Sequence, residues 1–475
     1  MATERDFITP NGMFVTTTAN VVGNTTFVDL YRDTIISNTG PSLYINFTKG
    51  YIDSRIKFRR GSTATFVDKD DIIRTANVDQ PRLQYSNGVC QGLLMEEQRT
   101  NIFCNERNDG LGLLTRSPTT IGPDGKAAYR YIPRARATAV SSNTAGPVTR
   151  TSYDWVGIPS TSLDISLSSG QTLDVTFTGF LGPSFGNINI VPWLVAEVNF
   201  NDASSPRYCY AQVDTRTWTI SSLTTDTGWS VITAPTLTTD KSGMRKFSYT
   251  ARFTADGTVR NKVRAYLQLR DGINGSGEFI ADGVSGIEYC CCQAELSTEQ
   301  SSYIPTGNTV VTRSSDVARI DGEDFALWYN TKGGTLYVRA DQYANTNNRG
   351  IATISDGSAN NVSFHLYNSS TQIGGEINLN GVFLSQQFGG SYTTRPEFKL
   401  AQTVDANNTV YYNGSLIGTN AIGNNIPVVD RLIIGSDRFG TGESAISGSI
   451  NGVIKEIAFY KTPLTVSQMA TLTTL

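Results

Sequence analysis

Histidine is almost missing. The single one, His365, stands in "VSFHLYN", a strand-like context in which a structural imidazole is expected. Any Ser-His-Asp or Cys-His arrangement would have to run through that residue, so nucleophilic catalysis is not expected. A basic excess is missing too: 39 Lys and Arg face 42 Asp and Glu, for a formal charge of -3, which speaks against nucleic acid as a partner. No segment approaches the roughly 18 apolar residues of a membrane span, and the opening "MATERDFITP" is charged where a secretory signal would be apolar. A soluble product of a cytoplasm, without membrane insertion, is the expectation. Six cysteines in 475 residues do not make a disulfide framework. Methionine is scarce, at 5, and only 17% of residues are charged. Internal repeats and Pro-rich linkers are not found.

What is there suits strands and turns. Gly 44, Tyr 21 and Phe 21 accompany abundant Thr, Ser and Asn, while helix formers are under-used. Alternating stretches such as "SLDISLSSGQTLDVTFTGFLG", "NINIVPWLVAEVNF" and "KFSYTARFTADGTVRNKVRAYLQLRDG" are cut by Gly, Asp and Asn turns, and two-sheet packing buries them most simply. A break at "SSYIPTGNTVVTRSSD" precedes a second alternating set, from "GTLYVRADQY" to "INGVIKEIAFY". The Asn413-Gly414 pair predicts a tight hairpin turn. Thr465 and Gln468 have capping-box spacing ahead of an apolar stripe of Val466, Met469 and Ala470, predicting one terminal helix. In the strand before it, Val453, Ile457 and Phe459 would share a face, although Lys455 interrupts that face and Ile454 is apolar on the other. The first 45 residues are too thin to bury a core alone and need partners. The fold class is therefore all-β: an N-terminal extended arm (1–45) followed by two β-sandwich, or jelly-roll, domains in series (46–312 and 313–475).

Two signatures resemble the modular fibre and receptor-binding proteins of tailed bacteriophages, and a third resembles a jelly roll. "FRRGSTATFVD" (58–68), "IIRTANVDQPRLQY" (72–85) and "GLLMEEQRTNIF" (92–103) are similar to the family's leading segment. "QAELSTEQSSYIPTGNTVVTRSSD" (293–316) is similar to its closing segment. The two bracket a carbohydrate-binding-module-like sandwich. "TVYYNGSLIG", "RLIIGSD" and "GSINGVIKEIAFYKTPLTVSQMATL" are similar to laminin-G-like, concanavalin-type jelly rolls. Two departures stand out: Gly61 replaces a usual alanine, and three cysteines replace a strand that usually carries Trp or Gly. The resemblance implies a structural virion protein, located in the virion. It would be a homotrimer, held by its arm to other virion proteins, and would attach to polysaccharide or lipopolysaccharide of the bacterial surface. The alternatives are a head or tail decoration protein without a receptor, and a surface-polysaccharide depolymerase.

An enzyme is not expected. A glycosidase needs two carboxylates across the scissile bond, and hydrolases of concanavalin-type fold usually show Glu-x-Asp-x-x-Glu on one strand, a string not found here. Glu376 and Glu197 read as isolated strand carboxylates and Glu323 with Asp324 as part of the interdomain stretch, each expected on a solvated face. Sugars are held by an aromatic face plus planar polar groups. Candidate ligand-binding residues in loops of the last domain are Tyr343, Asn347 with Asn348, Arg349, Tyr392, Arg395, Asp437, Arg438 and Phe439. A metal is undecided: a structural Ca²⁺ on Asp356, Asn360 and Asp437 is possible in such sandwiches, and no cofactor is expected. Arg55, Glu96, Arg99 and Arg313 are expected to form one polar collar at the base of the first sandwich.

"YCCCQAEL" places half of the cysteines side by side. Plain strand alternation would put Cys290 and Cys292 on one face and Cys291 on the other. A zinc site lacks Cys-x-x-Cys spacing, a disulfide between neighbours would be strained, and packing is the expected role.

Overall fold

The computed structural model describes residues 5–8, 14–17, 40–106, 112–133, 157–158, 163–187, 190–199, 206–255, 260–271, 282–342, 349–358, 361–367, 372–389, 397–436 and 450–475. The alternation in "KFSYTARFT" shows how its strands arise. Phe247, Tyr249, Ala251 and Phe253 turn inward and are at most 1% exposed, leaving Lys246, Ser248 and Thr250 on the opposite face. The same rule builds a six-stranded sheet in the order Gly112–Ile121, Ala127–Pro133, Ile287–Glu295, Thr172–Leu181, Arg245–Thr254, Trp229–Thr239. A second sheet runs Gly157–Ile158, Arg260–Asp271, Ile190–Asn199, Arg207–Asp214, Thr219–Thr225, with Leu163–Leu167 also on Arg260–Asp271. Phe177, Phe247, Leu194, Leu267 and Cys292 fill the space between the two. The Tyr249 hydroxyl crosses it to donate to the Leu194 carbonyl at 2.9 Å, so the buried phenol is satisfied.

The second sandwich stacks a seven-stranded sheet on an eight-stranded one. The first runs Val382–Gly389, Gln372–Leu379, Asn361–Tyr367, Arg349–Ser355, Arg431–Ile434, Val317–Asp321, Lys57–Arg59. The other runs Ser415–Ala421, Asn407–Tyr412, Phe398–Val404, Gly334–Gln342, Gly452–Tyr460, Val89–Met95, Leu83–Ser86, with Leu43–Asn46 also on Gly452–Tyr460. Both sandwiches are antiparallel, and the protein is all-β apart from short helices.

These sheets do not follow the chain as two successive blocks. Leu43–Asn46, Lys57–Arg59, Leu83–Ser86 and Val89–Met95 lie before the first sandwich in sequence, yet they complete both sheets of the second. Leu43, Ile45, Phe58, Leu93 and Met95 are buried in its core beside Trp328, Ile454 and Phe459. The first sandwich is thus inserted into the second. The chain leaves and returns through a two-stranded ladder in which Arg99–Asn101 pairs with Val311–Arg313. Close approach at one position makes this possible: a Cβ on Gly92, whose φ is +139°, would lie 2.3 Å from the Ile454 carbonyl oxygen. Only glycine fits there. Of the arm, Arg5–Ile8 and Phe14–Thr17 pair as a hairpin.

Two expectations of simple alternation are corrected by β-bulges. From Thr178 to Phe180 the opposing strand spends one residue more, from Gln293 to Cys290, and Cys291 adopts φ 51°. Cys290 and Cys291 therefore share one pocket with Ala128, Phe180 and Met244, while Cys292 alone turns into the inner core. All six cysteines are free thiols. The second bulge follows Ile454, where Arg339 pairs with Glu456 but Ala340 with Ile454. It skips Lys455 and puts Ile454 on the core face with Ile457 and Phe459, in place of Val453. Lys455 reaches Glu397 at 2.7 Å and Asp341 at 2.9 Å instead.

The Asn413-Gly414 turn has φ values of 46° and 83° and joins Asn407–Tyr412 to Ser415–Ala421, as expected for a primed hairpin turn. The terminal helix Val466–Thr473 carries the complete Thr465/Gln468 capping box. Its buried residues are Met469, Leu472 and Thr473, which cover Tyr337, Tyr411 and Tyr460 on the outer face of the eight-stranded sheet. Val466 is not among them and is 60% exposed.

Candidate functional site

The outer face of the first sandwich's six-stranded sheet is a comb of hydroxyl groups. Register places Thr176 opposite Thr250, Thr178 opposite Ser248 and Phe180 opposite Lys246, with Thr233 and Thr236 continuing the rows on the edge strand. Part of this comb is covered by the chain on its way out. Thr176 Oγ1 shares a hydrogen bond with Thr250 Oγ1 at 2.9 Å and donates to the Ser297 carbonyl at 2.7 Å. The Glu295 carboxylate accepts from the Ser301 amide at 2.8 Å and its hydroxyl at 2.5 Å. The Ile304 amide donates to Gln293 Oε1 at 2.5 Å.

The uncovered part forms one wall of a cleft of about 1010 Å³. Thr178, Thr233, Lys246 and Ser248 stand on that wall, and Phe66, Gln84 and Tyr85 of the second sandwich's leading segment stand opposite. Tyr303 adds a further ring to the lining. Lys241, beyond the strand Trp229–Thr239, pairs with Asp71 in the turn of the separate hairpin Ala64–Val67/Ile73–Ala76, and both line the cleft. Among the described residues the Lys246 ammonium has no ion-pair or hydrogen-bond partner, and burial lowers its pKa below the usual lysine value, with Asp240 opposing that shift. Aromatic faces, hydroxyls, amides and one unpaired cation in a concave space are the ingredients for holding a polar, ring-shaped molecule.

Beneath the cleft lies a buried ion network. Glu96 accepts from Arg313 at 2.6 Å and Arg82 at 2.8 Å, and Asp316 accepts from Arg82 at 2.5 Å and Arg60 at 3.1 Å. All five side chains are at most 1% exposed. The Ser302 amide and hydroxyl add donors to Glu96 at 2.6 and 2.7 Å. Burial alone would push the Glu96 carboxyl up, but the Arg313 and Arg82 guanidiniums and Ser302 outweigh it and hold the pKa at about 2. Paired carboxylates and guanidiniums in such a dry place are rigid connectors. They are poor acids.

The expected collar is distributed as follows. Glu96 and Arg313 touch, and Arg99 is the register partner of Arg313, its own guanidinium on Glu97. Arg55 is elsewhere, gripping Asp53 at 2.6 and 2.9 Å. Arg60, Arg82 and Asp316 complete the network although they were not expected in it. Each lies within a quoted family string, but flanked by Arg59 and Gly61, by Pro81 and Leu83, and by Ser315 and Val317 they carry no local signal of burial. Tyr343, Asn347, Asn348, Tyr392, Arg395, Asp437, Arg438 and Phe439 lie outside the described residues, and of Arg349 only the backbone, at the start of Arg349–Ser355, is described. Asn360 also lies outside. Asp356 accepts from Ser358 at 2.6 and 2.8 Å. One string of Gly-x-Ser-x-Gly form exists, Gly182 to Gly186. Ser184 there follows the strand Thr172–Leu181 with no helix behind it, so it is not a nucleophile elbow.

No protein-family model matches the chain, and no curated protein does. Among solved structures, a carbohydrate-binding module, CBM40, of the Ruminococcus gnavus IT-sialidase overlays 30% of this chain and 84% of its own, at 16% identity and a TM-score of 0.27. The same module bound to alpha2,3 sialyllactose gives 31%, 84%, 16% and 0.27. Domains LG4-5 of the mouse laminin alpha1 chain overlay 82% of this chain and 96% of their own, at 9% identity and a TM-score of 0.22. Superpositions this loose leave the sheets themselves to define the fold.

Proposed function

We propose that the protein is a non-catalytic attachment protein of a tailed-phage virion, binding polysaccharide of the bacterial surface. The observation that carries the reading is the cleft, where Phe66, Tyr85 and Tyr303 face a comb of hydroxyls and the unpaired Lys246. Aromatic faces take the apolar side of a sugar ring, and the hydroxyls and amides take its edges. The N-terminal arm would hold the chain to other virion proteins as a homotrimer, and several copies per particle would turn weak sugar contacts into firm adhesion.

Hydrolysis is the second reading, and one observation favours it. Asp341 also lines the cleft, and burial raises its carboxyl above the ordinary range, as a general acid requires. Its bond to Lys455 at 2.9 Å supports a structural role instead.

The test is adsorption. The full chain is expected to bind host cells and their extracted polysaccharide and to block infection, and Lys246→Met with Tyr85→Ala to lose most of that binding while remaining folded. Undiminished binding by the double variant would move the site elsewhere, and failure of the full chain to bind would favour the decoration reading. Release of reducing ends by the wild type, abolished in Asp341→Asn, would replace attachment by depolymerisation.

A further inference from the structure

The bulge at Cys291 does more than spoil an alternation. It brings the Cys290 and Cys291 sulfurs to 2.8 Å, and the Asp124 carboxylate stands 3.6 Å from Cys290 Sγ. All three donor atoms lie within 4.8 Å of one another. A single point therefore lies about 2.4 Å or less from each, close to the bond lengths of about 2.3 Å for sulfur and 2.0–2.2 Å for oxygen around zinc. The surroundings are shaped to leave the sulfurs in place. A Cβ on Gly122 would fall 2.5 Å from Cys290 Sγ, so the glycine makes room for the thiol. The turn from Gly122 to Lys126, closed by an amide-to-carbonyl bond of 2.8 Å, presents Asp124, whose Oδ1 accepts from the Lys126 amide at 3.2 Å.

We propose that Cys290, Cys291 and Asp124 form a site for a thiophilic divalent cation of the zinc type. Its fourth position faces a cavity of about 450 Å³ that all three residues line. Two sulfurs and one oxygen with an open place for water are a donor set that zinc and its congeners accept. Of the charged side chains lining that cavity, Arg116 pairs with Glu106 at 3.2 Å and Arg74 with Asp68 at 2.7 Å. Binding replaces two S–H protons, which leave to solvent, by two metal–sulfur bonds, with no change of oxidation state. The sulfurs part by about 1 Å to span tetrahedral bonds, a rotation of one thiol about its Cα–Cβ bond. A disulfide is the poorer outcome for this pair, because adjacent α-carbons about 3.8 Å apart fall short of the separation a relaxed disulfide needs.

The test is a titration of the reduced, metal-free full chain with Co²⁺. One equivalent is expected to bind with thiolate-to-cobalt absorption in the near ultraviolet, and added Zn²⁺ to erase it. Cys290→Ser and Cys291→Ser should each abolish the absorption, Asp124→Asn should weaken binding at least tenfold, and Cys209→Ser, far inside the inner core, should change nothing. If a serine variant fails to fold, wild-type protein blocked with one equivalent of a trivalent arsenical, which bridges paired thiols, should no longer take up Co²⁺. Absence of the absorption in wild type, its survival in both serine variants or after the arsenical, or a native peptide two mass units light through a Cys290–Cys291 disulfide would overturn the proposal.

Discussion

Replacing Glu96 by glutamine probes the network that joins the two sandwiches. The carboxyl is held at about 2, against an ordinary value of 4.5. A difference of about 2.5 units at about 1.36 kcal/mol each gives roughly 3 kcal/mol of stability dependent on its charge. The sign follows from the lowered pKa. This stabilisation is fully present above about pH 4.5, where the unfolded carboxyl is ionised, and is lost as the pH falls to about 2. Glutamine keeps the shape but removes the carboxylate that Arg82 and Arg313 share, leaving Asp316 to face Arg60 and Arg82, in a place from which water is excluded. Breaking a buried pair from one side costs about 3–5 kcal/mol, in agreement with the first figure. At pH 7 the variant should unfold at lower urea concentration, with a Tm roughly 6–12 °C lower for a unit of this size. The gap between wild type and Glu96→Gln should then close as the pH is brought from 5 to 2. A loss below about 1 kcal/mol at pH 7, or a gap indifferent to pH over that range, would refute the assignment of this charge as a connector.

Three further outcomes are expected. Residues 313–475 produced alone should aggregate or unfold without cooperativity, because four strands from 43–95 are missing from their sheets; joining 40–98 to 313–475 by a short linker should restore a sharp thermal transition. Gly92→Ala should cost about 3 kcal/mol or more, measured by denaturant unfolding, since the Ile454 carbonyl is backbone and cannot swing aside. Thr465→Ala should remove the helix cap for about 1 kcal/mol, seen as faster amide exchange in Val466–Thr473.

Where chemistry is local, the sequence was legible. The Asn413-Gly414 turn and the Thr465 cap rest on residues within three or four positions of each other, and both stand as expected. Two-residue alternation located most strands of both sandwiches. It failed at Cys290–Cys292 and at Lys455 for one reason: counting by twos assumes that no residue is spent on a bulge, and a bulge is decided by the partner strand. The allegiance of Leu83–Ser86 and Val89–Met95 was hidden for a related cause. An edge of a sheet is matched by any strand of suitable pattern, and the match here spans more than 350 positions, from Leu93 to Ile454. The cleft has walls from both sandwiches, so no single stretch of sequence announces it. The strings of the leading and closing segments did contain Arg60, Arg82, Glu96, Arg313 and Asp316, but as neighbours in a pattern; only folding reveals that they are neighbours in space.

The insertion also has a mechanical side. Domains strung in series are tied by one covalent thread, and a load between them twists or stretches that thread freely. Here two antiparallel crossings, laced together over Arg99–Asn101 and Val311–Arg313, must bear any pull at the same time. Force applied to the inserted sandwich is divided between two strands that return to different sheets, Val89–Met95 in one and Val317–Asp321 in the other. Torque meets a ribbon in place of a swivel. A tug on the outer sandwich is thereby spread over both layers of the one beneath it, and the joint resists rotation even before the buried charges are counted.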